Sequence, residues 1–430
     1  MEVNKAVLAT ESPVRREPLP LEFPGVHHMD EQEIEAVVRV LRARSPFRYY
    51  GVDLLREVES FESEFAQFIG TAHAVALSSG TGALHTALSA LGVGPGQEVI
   101  VPAYLWVSVV AAVVNLGAIP VLADIDDTFC LNPDDVRRRI TGRTTGIIAV
   151  HMSGAAGDIG AIRRVAREHN LFLIEDCAQC AGGSVNGGKV GSFGDIGIFS
   201  FQMNKNMTAG EGGALVTNDF RLYRRAFASH DLGYARDENG RLIFDDEDLT
   251  LWGRGYRLDE LRGAVLRVQL RKLPCIIEAM RRSKYRIREA LGGFAVGLRR
   301  VVDPAGDTGC FLITIYPDAR TAHEVNRALR VEGIGTLPQG ISNIVLKEGW
   351  GLHLYYNIVS LVKRTSVDRQ GFPWRLAENV SLARSYEKGT CPAADSLFER
   401  SILLPIPSCL TERDEDDIIT AFQKVVRAGA

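Results

Sequence analysis

The sequence predicts an α/β protein of two domains, and three observations carry that prediction. From about residue 74, short apolar, β-branched runs alternate with helical segments about a dozen residues long, separated by glycine, proline or Asx punctuation. Those runs are nearly continuous in apolar character, which places helices on both faces of the sheet they form. At 430 residues and 46% hydrophobic composition, the chain is longer than a single core usually serves.

The elements follow in order. Met1 to Pro24 mixes charges with prolines and lacks the apolar stretch of a signal peptide, so it reads as an arm or a disordered tail. Asp30 opens an Asp-x-x-Glu start to a helix running through Leu41, and a second amphipathic helix covers about Leu54 to Phe68. The strands are Ala74 to Leu77, Val99 to Val101, Pro120 to Ala123, Gly146 to His151, Leu171 to Ile174, Ile196 to Phe201 and Ala214 to Thr217. The uncharged stretch between Glu98 and Asp124 has the length of a membrane span, but Asn115, Gly117 and Pro120 divide it into strand, buried helix and strand. Asn186-Gly187-Gly188 is a hairpin-type turn.

Gly253 to Ala290 reads as mostly helical. Beyond Gly292 a second α/β pattern begins, with a strand at Phe311 to Tyr316, a helix at Ala319 to Arg330 and a closing helix from Thr411, its cap, to Val426. Gly340 to Gly389 reads as loop. The expected division is an arm over 1–24, a large domain over 25–290 and a small domain over 291–430.

A formal net charge of -4 with both signs interspersed offers no basic stripe or polybasic cluster, which argues against nucleic acid and membrane as partners. Seven scattered cysteines in apolar contexts read as buried free thiols in a reducing cytoplasm. His27-His28 has no spaced carboxylate or cysteine set beside it, so no metal centre is expected. His73 and His85 read as core or cleft residues, and Asp245 to Asp248 as a solvated loop.

Ligands of open α/β sheets bind beyond the carboxyl ends of the strands, and three polar segments sit there. Ser78-Ser79-Gly80-Thr81-Gly82 joins a strand to the helix Ala83 to Leu91; such a turn is either an ordinary tight turn or a phosphate cradle of helix N-terminal amides, to which Thr81 adds a hydroxyl. Glu175-Asp176 closes another strand ahead of Cys177-Ala178-Gln179. An acid there is either a solvated or capping residue or, beside a pyridine ring, the group that keeps a ring nitrogen protonated. The Cys177-x-x-Cys180 pair stands alone, which favours small buried thiols over a redox or zinc site. Finally, Phe199-Ser200-Phe201-Gln202-Met203-Asn204-Lys205 runs from an apolar strand into a lysine and on to Gly210-Glu211-Gly212-Gly213. A lysine in that position is partly desolvated, its pKa falls toward neutrality, and it suits Schiff-base chemistry.

Together with Val101-Pro102-Ala103-Tyr104-Leu105-Trp106, these segments resemble the DegT/DnrJ/StrS sugar aminotransferases, fold-type I enzymes that use pyridoxal 5′-phosphate (PLP). The resemblance runs in order from about Arg48 to Leu270 and resumes weakly around Lys388 to Ile406. It implies a large domain with a mostly parallel, mixed seven-stranded sheet flanked by helices, and a smaller C-terminal α/β domain. It also implies Lys205 as the Schiff-base lysine, Asp176 as partner of the pyridinium nitrogen and Gln179 as neighbour of the cofactor's phenolic oxygen. Gly80, Thr81 and Ser200 then hold the phosphate. Trp106 falls where the family stacks an aromatic on the ring; a core tryptophan would read identically.

Two departures stand out. Gln202 replaces a common histidine, which is similar to the aminocyclitol branch acting on scyllo-inosose-type ketones, although the aminohydroxybenzoate synthases look alike over this stretch. Gly255-Tyr256-Arg257 replaces the family's Asn-Tyr-Arg, which reaches the neighbouring subunit's phosphate. Lys205 separates the chain from the family's dehydratases, which have histidine there. The activity implied is amino transfer from glutamine or glutamate to the ketone of a sugar or cyclitol, in amino-sugar or aminoglycoside-type biosynthesis, by a cytoplasmic homodimer with shared sites. A PLP lyase or aldolase acting on an amino acid, and a non-catalytic PLP-binding regulator, are the competing readings. Arg48, Tyr49, Tyr50, His151 and Ser153 are available as hydroxyl partners or as structural residues.

Overall fold

The computed structural model describes residues 12–294, 296–335, 344–382 and 384–426, without the side chain of Glu247. Its centre is a seven-stranded sheet of β1 (His73–Leu77), β2 (Glu98–Pro102), β3 (Ile119–Ala123), β4 (Thr144–Val150), β5 (Phe172–Asp176), β6 (Ile196–Ser200) and β7 (Gly213–Thr217). The spatial order is β1-β7-β6-β5-β4-β2-β3. The pairs from β3 through β6 are parallel, and β7 pairs antiparallel with both β6 and β1.

Helices cover the sheet: α1 (Glu31–Arg42), α2 (Glu57–Ile69), α3 (Gly80–Ala90), α4 (Val107–Asn115), α5 (Pro133–Arg139), α6 (Ile159–Glu168), α7 (Phe220–His230) and α8 (Glu260–Leu291). All five residues of β2, β3, β6 and β7 are buried, which is why those runs lack the alternation of a half-exposed strand. The apolar stretch between Glu98 and Asp124 is β2, α4 and β3, and no helix among the described residues is long and apolar enough to cross a membrane. Asp30 caps α1 in a capping box with Glu33, as the Asp-x-x-Glu spacing predicts.

Where the structure departs from the sequence reading, backbone geometry explains it. Helix α2 begins at Glu57 because Arg56 adopts the left-handed conformation at φ 56°. Residues 253–259 are irregular, not helical: Tyr256 O accepts the Ser78 N–H at 2.7 Å and Arg257 bridges to Leu77, so this backbone extends the pairing of β1. Asn186 (φ 49°) and Gly187 (φ 84°) make the turn of a two-residue hairpin, as expected. All seven cysteines are free, but Cys275 and Cys409 are exposed, because Cys275 lies on the outer side of α8 and Cys409 on a surface turn.

The C-terminal part holds a four-stranded sheet of β8 (Gly297–Leu298), β9 (Phe311–Ile315), β10 (Val345–Leu346) and β11 (Ser401–Pro405), in order β8-β9-β11-β10 and antiparallel throughout. α9 (Ala319–Val331) packs on this sheet, and α12 (Glu412–Val425), capped by Thr411, packs on α8 and α9. The region read as loop is mostly short 3₁₀ turns plus β10 and the single-turn α10 (Val359–Val362), and its residues 340–343 and 383 lie outside the described part. The sequence reading assigned neither α11 (Pro392–Glu399) nor β11.

The amino-terminal segment is an ordered arm from Ser12 onward, while residues 1–11 lie outside the described part. Arg15 N–H donates to Glu332 O at 3.0 Å, Leu19 N–H to Gly335 O at 2.8 Å and Gly25 N–H to Lys205 O at 3.3 Å. Within the arm, Leu19 and Phe23 are buried.

Candidate active site

A cavity of about 650 Å³ opens at the carboxyl ends of β1, β5 and β6. The three segments singled out in the sequence converge there: Gly80, Thr81, Trp106, Asp176, Gln179, Ser200 and Lys205 all line it.

The β1–α3 turn forms because Ser79 is a good N-cap, its hydroxyl accepting the Gly82 N–H at 3.0 Å. A side chain at Gly80 would put its Cβ 2.8 Å from Ser200 Cβ, so only glycine lets the first turn of α3 approach the end of β6. A side chain at Gly213 would overlap the Ser79 carbonyl. The turn after β1 and the strand after the lysine loop are therefore in backbone contact. Thr81 Oγ1 lies 2.7 Å from Ser108 Oγ, adding hydroxyls where the first-turn amides and the positive end of the α3 dipole favour an anion.

Asp176 ends β5, where its Oδ1 accepts the Ala178 N–H at 3.0 Å. Lys205 follows β6 in a tight loop in which its N–H donates to Gln202 O at 2.9 Å. Lys205 keeps some surface open to the cavity, yet burial pulls its amine pKa below the ordinary value, against the opposing pull of Asp176 and Glu22. Burial likewise pushes the Asp176 carboxyl up, while the Ala178 N–H and Lys205 act to hold it down.

Trp106 is 44% exposed and borders the cavity, which removes the core reading for this side chain. Gln179 accepts the Ser153 N–H at 3.0 Å through Oε1 and turns its amide nitrogen to His353 Nε2 at 3.2 Å. His353 packs 4.7 Å from the Trp106 ring and stacks on Trp350 at 4.0 Å. The cavity wall thus carries an aromatic layer, two of whose members, Trp350 and His353, come from the segment before α10.

Among the other candidates, Arg48 is buried in a two-oxygen pair with Glu62, both bonds 2.9 Å. His151 Nε2 pairs with Glu175 at 3.0 Å, and Glu175 also accepts the N–H groups of Gly191, Phe193 and Gly194. These are structural networks; His151, Glu175 and Cys177 do cluster closely enough to ligate an ion, but the carboxylate is fully used by its hydrogen bonds. Tyr49 and Arg48 line a second cavity of about 370 Å³ under the β-hairpin at 235–243, and Tyr50 is exposed. His73 stacks on Tyr223, and His85 Nδ1 meets Tyr256 Oη at 3.0 Å. Gln202 lines the cavity, whereas Gly255 (φ 68°) has open space around it.

The sequence reading missed Glu22, Trp350 and His353 as cavity residues. Glu22 lies in a segment read as arm or tail, and the other two in a stretch without periodicity, so neither strand-end position nor motif could find them.

The fold is that of the fold-type I PLP-dependent transferases, a mostly parallel seven-stranded sheet between helices with a lysine and an acid at adjacent strand ends. The chain belongs to the DegT/DnrJ/EryC1/StrS aminotransferase family, whose model matches residues 27–341. It is 34% identical over 373 residues to L-glutamine:2-deoxy-scyllo-inosose aminotransferase of Micromonospora echinospora, covering 85% of each chain. It is 39% identical over 244 residues to GDP-perosamine synthase of Vibrio cholerae, covering 56% of this chain and 65% of that one. The crystal structure of 3-amino-5-hydroxybenzoic acid synthase superposes with a TM-score of 0.75 and 27% identity, covering 96% of this chain and 100% of the other.

The family's cofactor is PLP, and the residues present fit it. A glycine-only approach of α3 to β6 leaves a helix N-terminus and hydroxyls for a phosphate, and a buried carboxyl and a buried amine complete the set.

Proposed function

We propose that this chain transfers the amino group of glutamine or glutamate to the ketone of a polyhydroxylated ring, in amino-sugar or aminocyclitol biosynthesis. The observation that carries the reading is the convergence of Lys205, its amine pKa lowered by burial, and the buried Asp176 carboxyl on one cavity, in a member of an aminotransferase family.

Bound PLP supplies an electron sink, with Lys205 as its covalent anchor and Asp176 as the acid beside its ring nitrogen. Gly80, Thr81 and Ser200 would hold its phosphate, Gln179 its phenolic oxygen and Trp106 one ring face. Lys205 Nζ, its pKa lowered by burial, removes the α-proton of the donor; in the second half it returns a proton to the former carbonyl carbon of the acceptor. His353 and Trp350 wall the cavity and exclude water from that exchange. Gln202 in the cavity supports a cyclitol as the acceptor, in line with the Micromonospora relative. The division into an arm over 1–24, a cofactor domain over 25–290 and a small domain over 291–430, a cytoplasmic location and a homodimer with shared sites belong to the same reading.

The test is incubation of the purified PLP-loaded protein with L-glutamine or L-glutamate and a panel of keto-cyclitols and keto-sugars, with amine products identified by mass spectrometry. An oxo acid with an intact carbon skeleton and an aminated ring are expected, and Lys205→Ala should lower the rate by at least ~10³-fold. Donor side-chain cleavage would indicate the lyase or aldolase reading. Cofactor binding without turnover of any donor would indicate a non-catalytic relative.

A further inference from the structure

Lys347 is fully buried, and among the described residues it pairs with no carboxylate. Burial pulls its pKa well below the ordinary value, and the neighbouring Arg299 acts in the same direction. A lysine placed in this way costs the fold stability, which points to a use beyond packing.

The backbone sets its position. β10 pairs with β11 up to Leu346, and a 3₁₀ turn follows in which Trp350 N–H donates to Lys347 O at 3.0 Å. The segment beyond runs alongside the loop that carries Trp106. Leu105 N–H donates to His353 O at 3.0 Å, Tyr355 N–H donates to Ala103 O at 3.3 Å, and Tyr104 bridges antiparallel to Leu354.

Two routes lead from Lys347 to Gln179. On the first, Nζ donates to Tyr104 Oη, which lies 3.0 Å from Ser153 Oγ, and Ser153 N–H donates to Gln179 Oε1 at 3.0 Å. Ser153 holds the left-handed conformation at φ 54°, pinned by Arg299 Nη1, which donates to its carbonyl at 3.0 Å. On the second, Nζ sits 4.2 Å from the centre of the Trp350 ring; that ring stacks on His353, whose Nε2 lies 3.2 Å from the Gln179 amide nitrogen. The six side chains close a ring. Within it the Gln179 amide commits its oxygen to Ser153 and one hydrogen to His353, which leaves its second hydrogen to offer to the cavity it lines.

We propose that Lys347 is a positioning residue for the cofactor, holding Gln179 so that the remaining amide hydrogen meets the phenolic oxygen of PLP. The proposal rests on the amino-transfer reading, which puts Gln179 at that oxygen, and adds a residue from outside the cavity lining. A donor at the phenolic oxygen disperses negative charge that would otherwise stabilise the protonated Schiff base beside it. Weakening that donor therefore raises the pH at which the Schiff base loses its proton.

The test uses the PLP-loaded enzyme, its Lys347→Met, Tyr104→Phe and Gln179→Ala variants, and the Lys347→Met/Gln179→Ala double variant. In each, the pH at which the absorbance of the Lys205-bound cofactor titrates is read, and the PLP dissociation constant is measured by fluorescence titration of the apoprotein. Lys347→Met and Tyr104→Phe should each raise the titration midpoint by roughly half to one pH unit and weaken PLP binding about threefold to tenfold, the size of one weakened hydrogen bond. Gln179→Ala should raise the midpoint at least as far, and adding Lys347→Met to it should move the midpoint by less than about 0.2 pH unit. An unmoved midpoint in Lys347→Met or in Gln179→Ala overturns the proposal. So does a Lys347→Met shift that persists without Gln179, or one that Tyr104→Phe does not share, since either would make the effect one of the lysine's charge. Methionine matches the lysine in bulk without a charge, so Lys347→Met should melt within a few degrees of the parent. Tyr104→Phe, which keeps the lysine, carries the same test if Lys347→Met does not fold. Failure of the parent to pass an amino group from any donor instead overturns the amino-transfer reading and leaves the titration readable, so the two failures are distinct.

Discussion

The side chains of Gln179 and His353 meet at 3.2 Å, joining the loop after β5 to the segment before α10 across the cavity. Because Gln179 Oε1 accepts from Ser153 N–H, its amide nitrogen must be the donor, so His353 Nε2 accepts and Nδ1–H donates to Trp350 O at 3.1 Å. Burial agrees with a neutral ring, lowering the His353 pKa to about 3. His353→Phe keeps the stacking on Trp350 but removes the acceptor. It should lower kcat/KM by about fivefold, the worth of one neutral hydrogen bond, with no loss of thermal stability, as checked by steady-state kinetics and a thermal melt.

Arg48 and Glu62 form a buried pair in which Glu62 also accepts the Ala76 N–H. Arg48→Met leaves the carboxylate without its cation and should cost about 3–5 kcal/mol in denaturant unfolding. Adding Glu62→Gln should restore much of that loss, because the uncompensated charge is then gone. The double variant is expected to melt above the single one.

His230 is buried between Arg48 and the Phe227 carbonyl, and its pKa is lowered to about 3. The folded value lies below the unfolded value of about 6.5, so the unfolded chain binds the proton first as pH falls. The group's contribution is present above about 6.5 and is lost as pH drops toward 3. Comparing pH 7.5 with pH 5.5, the parent should lose more stability than His230→Gln, by up to about 1.4 kcal/mol per pH unit below 6.5. Chemical denaturation at the two pH values reads the difference.

Gly255 adopts φ 68° with nothing near its Cβ position, and asparagine is the side chain that best tolerates that region. Gly255→Asn should leave the melting temperature within a few degrees. On the proposed reading of a homodimer with shared sites, the added amide would reach the neighbouring subunit's phosphate, so PLP dissociation, followed by dialysis and absorbance, should slow.

The fold of the large sheet was legible because its strands are short apolar runs, several of them closed by a polar residue, as in β5 ending at Asp176 or β6 ending at Ser200. The same strand ends placed Lys205 and the α3 turn. Legibility failed where geometry depends on distant backbone: residues 253–259 run without a break into α8, but Tyr256 and Arg257 pair with the end of β1 instead. It failed again for β11, whose apolar run is buried by pairing with β9 and β10 and follows a helix only eight residues long. Glu22 and His353 reach the cavity through clamped irregular segments, and no local pattern encodes where such a segment ends up.

The abutment of Gly213 on Ser79, together with that of Gly80 on Ser200, has a mechanical corollary. The α3 turn proposed to hold the phosphate and the strand that follows the Lys205 loop cannot shift independently. A bulkier residue at Gly213, well away from any reacting atom, would displace both at once, so its first symptom would be an enzyme that sheds its cofactor while the rest of the sheet stays folded.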